Sequence, residues 1–174
     1  YGFKLRRGAV DENYLAQREH EEKIEAGLRD AQAHMQRLDY DRARPILRRL
    51  LRYGEDRRVL SQLYSCARFT PASEDFHTAA HGIFAVRSQA PGIDQWVLET
   101  FRDYMAKAEP RIRLSPAQVM GLSQRFAASG ELKELEQLVR LMLAQPAAYP
   151  QLANQLLRLS DGFRRQGDAA KQRR

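Results

Sequence analysis

A single cysteine, Cys66, leaves this chain unable to close an internal disulfide. That fits a reducing compartment and favours the cytosol over a periplasmic domain built without disulfides. No stretch approaches the roughly 18 apolar residues needed to cross a bilayer, so no spanning helix is expected within these 174 residues. Low-complexity runs are missing too, which excludes a disordered tail. There is no glycine-rich phosphate loop and no dinucleotide fingerprint. His77 and His81 stand four apart, as two zinc ligands on a helix do, but Thr78, Ala79 and Ala80 between them supply no carboxylate and no third ligand is apparent. They read as ordinary helix residues. Cys66 lies on an apolar helix face and reads as a small buried hydrophobe. Ser115 is explained as a helix cap. The carboxylates of residues 11 to 25 spread around a helix without forming a pair. No catalytic residue, metal ligand or cofactor is therefore expected.

What is present is basic charge. Lysine and arginine exceed aspartate and glutamate to give a net charge of +7, and much of the excess is arginine. Such a balance raises three partner classes: nucleic acid, an anionic membrane, or an acidic protein. The length suits one domain, or one with a short appendage, and is ample for a shared core.

Three stretches repeat one pattern, an apolar-striped helix, a short turn carrying Gly or Asp, and a second helix. They are Ala31 to Leu51 around Leu38-Asp39-Tyr40-Asp41-Arg42-Ala43, Leu122 to Leu143 around Ser129-Gly130-Glu131-Leu132, and Leu156 to Arg174 around Gln166-Gly167-Asp168. A turn that short forces antiparallel neighbours, and stacking the hairpins buries a stripe that one hairpin would leave wet. The expected fold is all-α, built from stacked antiparallel helical hairpins.

The spacing places the first packed residues at Ile24, Leu28, Ala31, Met35 and Leu38. Helix two is expected from Asp41 to Arg52, with Pro45 in its first turn, where a missing N–H is tolerated. Asp56 caps a third helix running to about Phe69, and Thr70-Pro71-Ala72-Ser73 turns into a helix through Phe76 and Phe84. Asp94 caps the helix of Trp96 to Met105, which stops before Glu109-Pro110. Ser115-Pro116-Ala117-Gln118 combines a cap, a first-turn proline and a capping-box glutamine. After Gln145 to Pro150, one more helix carries Leu152 to Phe163, and Gly167 is expected to turn the chain again.

Helix two has two clean sides. At about 100° per residue, Ala43, Ile46, Leu47, Leu50 and Leu51 share one and Arg42, Arg44, Arg48, Arg49 and Arg52 the other. Arg42, Arg48, Arg49 and Arg52 are candidates for contacting phosphate or lipid, since arginine offers several fixed donors. A solvated face paired with nearby carboxylates is the favoured reading. No aromatics interleave for base stacking, which lowers the case for nucleic acid.

The start, Tyr1-Gly2-Phe3-Lys4-Leu5-Arg6-Arg7-Gly8, sets aromatics among basic residues as at the inner edge of a membrane-spanning helix. Lys4, Arg6 and Arg7 are thus candidate lipid contacts, and an ordinary basic linker is the rival reading. Residues 1 to 25 are expected to form this basic segment with a charged connecting helix, and residues 26 to 174 a repeat domain. A tethered chain would sit on the cytoplasmic side of the inner membrane, and an untethered one in the cytoplasm.

The Asp39-Tyr40-Asp41-Arg42-Ala43 and Gly130-Glu131-Leu132-Lys133-Glu134-Leu135 turns resemble the Gly-Asp-Tyr-x-x-Ala centre of tetratricopeptide repeats, with Leu122 and Phe126 where that family has large apolar residues. The likeness covers about half of the chain by this template, with Leu38 in place of the family's Gly and Leu135 in place of its Ala. It implies a tetratricopeptide-like α-α superhelix whose concave groove grips a peptide or protein. In layout, the basic start, acidic helix, arginine-rich repeats and Phe76-His77-Thr78-Ala79-Ala80 are similar to cytoplasmic tails of bacterial rhomboid-type intramembrane proteases. That family's catalytic Ser and His motifs do not occur here.

The leading functional expectation is a non-catalytic protein-interaction module belonging to a larger bacterial membrane protein. Its candidate partner-binding residues are Gln118, Arg125, Asn154 and Arg158, polar positions on helices lining a groove. The alternatives are a nucleic-acid or anionic-lipid binder acting through the arginine face, and the regulatory tail of an intramembrane protease.

Overall fold

Among the described residues of the computed structural model there are eight α-helices, two single-turn 3-10 helices at Leu51–Tyr53 and Pro146–Ala148, and no strand. The described residues are 5–87, 92–108, 111–150 and 152–172, with the backbone alone for 5–10 and 171. The α-helices are α1 (Leu5–Gln36), α2 (Tyr40–Leu50), α3 (Arg57–Ala67), α4 (Glu74–Ala85), α5 (Gln95–Ala108), α6 (Pro116–Ser129), α7 (Leu132–Ala144) and α8 (Leu152–Gln172). The chain divides into two units, Tyr1–Ile83 and Phe84–Arg174.

In the first unit, α1 packs on α2 and α3, and α2 on α3. Residues 11–23 of α1 are all exposed, and burial begins at Ile24 and continues through Leu28 and Ala31. That is where the apolar spacing places it. Leu38, expected to extend this stripe, is instead 73% exposed with φ of 61°. It occupies the left-handed turn position, so its side chain is carried away from the core. The Asp39 carboxylate accepts from the Arg42 N–H at 3.3 Å and starts α2 at Tyr40. Pro45 is consequently the sixth residue of α2 and not part of its first turn. The proline is exposed, so the Asp41 carbonyl that loses its helical donor lies near solvent. Ala43, Leu47 and Leu50 form the buried edge of α2.

Asp56 caps α3 through the Arg58 N–H at 2.8 Å. The Arg58 guanidinium also bonds the Asp56 carboxylate and holds its pKa below the ordinary value. α3 stops at Ala67, two residues earlier than expected, and leaves Phe69 66% exposed. Its inner face meets α4 through Tyr64 and Phe76, whose rings lie 5.4 Å apart. A Cβ on Gly82 would stand 2.5 Å from Leu60, and one on Gly27 would stand 2.6 Å from Leu50. Each glycine thus makes room for a buried leucine of a neighbouring helix.

A left-handed conformation costs a side-chain-bearing residue about 1–2 kcal/mol, while glycine adopts it freely. Leu38 buries little in return. Glycine's freer unfolded chain gives back about 0.4–1 kcal/mol of that cost, so Leu38→Gly is expected to raise unfolding stability by about 0.5–1 kcal/mol in urea titration. A loss of similar size would show that the exposed leucine has a packing role.

The second unit contains the sharpest local signals. Ser115 and Gln118 complete the capping box of α6, and Gly130, with φ of 72°, ends that helix in the left-handed conformation. The Glu131 N–H then donates to the Phe126 carbonyl at 2.9 Å, and α7 begins at Leu132. Asp94 caps α5 through the Trp96 N–H at 2.8 Å. Phe101 of α5 packs on Phe126 of α6, with ring centres 4.8 Å apart. Phe84 meets Tyr104 at 5.5 Å. The buried Tyr104 hydroxyl accepts from the Arg113 N–H, and its pKa is raised by burial. α7 packs on both α6 and α8, and α6 on α8.

The turn expected at Gly167 is absent, because α8 runs unbroken from Leu152 to Gln172. A helical glycine costs only about 1 kcal/mol relative to alanine. Gly167 does not take the left-handed conformation that ends α6 at Gly130, so it is carried within the helix. Among the described residues, no helix is long and apolar enough to cross a membrane.

Candidate binding clefts

Among the described residues, each unit carries a cleft in which cationic side chains surround small or apolar residues. In the second unit, an open cleft of about 580 Å³ lies between α6 and α8. Ala127, Ala128, Gly130 and Leu132 form its less polar part, while Gln124 of α6 and Arg158, Arg165 and Gln166 of α8 add polar groups. Asp161 is the one carboxylate on its lining. Arg158 and Arg165 are seven residues apart, and at 100° per residue they share a face of α8. Neither has an ion-pair partner among the described residues. A Cβ on Gly162 would collide with Leu132, so this glycine lets α8 approach α7 beside the cleft.

The four candidate partner-binding residues are not gathered in one place. Arg158 lines the α6–α8 cleft, and Asn154 is exposed near the start of α8. Gln118 uses its side-chain carbonyl to accept from the Ser115 N–H at 2.8 Å. Arg125 donates to the Phe84 and Val86 carbonyls, each at 2.7 Å, and so caps the end of α4. Burial lowers the Arg125 pKa, and the positive charge of Arg87 acts in the same direction. Arg165 and Gln124 escaped the sequence reading. The seven-residue spacing to Arg158 was the available signal for Arg165.

The arginines of α2 are likewise divided. Arg48 makes two bonds to the buried Asp75 carboxylate, at 2.7 and 2.6 Å, while its own side chain is 60% exposed. Arg42 pairs with Asp39, and Arg44 with Asp41. Arg49 and Arg52 have no carboxylate partner among the described residues. They line a groove of about 350 Å³ with Lys23 of α1. Its apolar side is Ala26, Ile46 and Leu50, Tyr53 stands at one edge, and no carboxylate lines it. The Lys23 ammonium lies 5.9 Å from the centre of the Tyr53 ring. Lys23 was hidden in the sequence because it appeared as one charge within an acidic helix. Lys4 lies outside the described residues. Arg6 and Arg7 belong to the first turns of α1, and their side chains lie outside the description.

Groups suited to covalent chemistry are placed differently. Cys66 is buried, and its thiol pKa is pushed up to about 11 by desolvation, against the opposing influence of Arg44. It is protonated at neutral pH. His77 is also buried, 6.4 Å from His81 between ring centres. Among the described residues, no three His, Cys, Asp or Glu side chains form a metal-binding group. Comparison with protein-family models, curated proteins and solved structures finds no match.

Proposed function

We propose that this chain is a non-catalytic interaction module that holds an extended segment of a partner protein in the α6–α8 cleft. The cleft itself carries the reading. Its volume of about 580 Å³ falls within the range of specific binding pockets. Its small residues let a peptide backbone approach, while glutamines and two arginines without an ion-pair partner among the described residues supply donors for carbonyls and acidic side chains. The tetratricopeptide-like reading belongs with this proposal. Its local supports are the left-handed turn positions at Leu38 and Gly130 and the packing of α7 on both α6 and α8.

A photo-crosslinking residue at Gln124 in the source cells is expected to capture a discrete protein. Arg158→Glu with Arg165→Glu should abolish that capture while circular dichroism retains the helical signal. Capture that persists in the charge-reversed variant, or none by the wild type, overturns the cleft assignment. Substrate turnover by the purified chain overturns the non-catalytic reading.

A further inference from the structure

We infer that the Lys23–Arg49–Arg52 groove receives the projecting half of α1 from a second copy of this chain, giving a two-fold symmetric dimer. Two exposed surfaces of the first unit carry this inference, although α1 is anchored at its inner end, where Glu21 accepts from Arg58 at 2.8 Å and His20 packs on Tyr53.

One is the groove. Lys23, Arg49 and Arg52 surround an apolar side made by Ala26, Ile46 and Leu50, without a neutralising carboxylate on the lining. A complementary ligand has apolar bulk to cover that side and negative charge to meet the rim. The other is α1 before its packed portion. Residues 11–23 are exposed throughout, a length of roughly 20 Å at 1.5 Å per residue. Leu15 is 58% exposed there, and Asp11, Glu12 and Glu19 have no ion-pair partner among the described residues. A leucine flanked by carboxylates is the chemistry that the groove lacks.

Register supports the same pairing. At 100° per residue, Leu15, Glu19, Glu22 and Ala26 share one face of α1, and Ala26 lines the groove. An antiparallel second α1 crossing on this face brings Leu15 of each copy toward Ala26 of the other. In that register Glu19 lies opposite Glu22 of the other copy, next to Lys23 on the cationic rim. The contact is self-complementary, as a closed two-fold interface requires. Glu22 already pairs with Arg18 at 3.8 Å, so Glu19 is the better probe of the intermolecular contact.

Sedimentation equilibrium of the full chain tests the inference. The wild-type mass is expected to rise from 20.1 kDa toward twice that value with concentration. Added salt should oppose the rise, because the attraction is between exposed charges. Lys23→Glu with Arg49→Glu should remain monomeric, as should Glu12→Lys with Glu19→Lys. An equimolar mixture of these two folded variants should recover the dimer, since each reversed groove then meets a reversed helix. Leu15→Ala, which leaves the charges alone, should weaken wild-type association at least fivefold. A wild type monomeric up to several hundred micromolar overturns the inference, as does a dimer indifferent to both reversals or a mixture without recovery. Charge-dependent binding of the monomer to phosphatidylglycerol vesicles or polyglutamate would instead assign the groove to a membrane or an acidic protein. These measurements leave the α6–α8 cleft untouched.

Discussion

Phe126→Ala is expected to destabilise the second unit by about 3–5 kcal/mol, and Leu138→Ala by about 2–5 kcal/mol. Both side chains are fully buried. Phe126 also packs against the Phe101 ring, so truncation removes an aromatic contact besides opening space between α5 and α6. The cost exceeds simple transfer of the lost methylenes because neighbouring helices cannot collapse fully into the cavity. Urea unfolding followed by circular dichroism checks the expectation. Losses below about 0.5 kcal/mol for both, a level typical of surface sites, would show that these residues do not form the core.

The second large effect concerns two carboxylates buried beneath exposed arginines. Asp75 is 5% exposed and Glu134 is 3% exposed. Asp75 receives Arg48, and Glu134 receives the Arg102 Nε at 2.6 Å. Removing one member of a fully buried ion pair costs about 3–5 kcal/mol because the other charge is left unpaired. Solvent at Arg48 and Arg102 screens part of this interaction, so Arg48→Ala and Arg102→Ala are each expected to cost about 2 kcal/mol. Replacing both members, as in Arg102→Met with Glu134→Leu, should recover most of the loss. Denaturation of the single and double variants separates unpaired charge from lost packing. A double variant worse than the sum of its singles would refute the explanation.

The helix boundaries that were legible in the sequence have local causes. Asp56, Asp94 and Ser115 each bond an N–H two or three residues away, so cap and helix share one short window. Gly130 announces its turn because the left-handed position strongly favours glycine. Gly167 gives the same letter without that conformation, and a modest helical penalty is insufficient to reverse the chain. Leu38 is the converse, a left-handed position whose residue type conceals it. The destination of a long side chain is less legible still. Arg48 and Arg49 are adjacent, yet one reaches Asp75, 27 residues away in sequence, while the other remains at the groove. Arg125 looked like a surface donor because the carbonyls it serves lie 39 and 41 residues earlier. Side-chain destinations follow from helix packing, which a periodic pattern records only as a face.

The glycines seated against leucines have a consequence for how this sequence can vary. At 27 and 50, at 82 and 60, and at 162 and 132, one position contributes volume and the other vacates it. Substitution at either member is constrained by its counterpart, so adding a methyl group at the glycine calls for trimming the leucine. Each pair is therefore a single degree of freedom in sequence space, and neutral drift through such a contact requires correlated exchange of bulk across two helices.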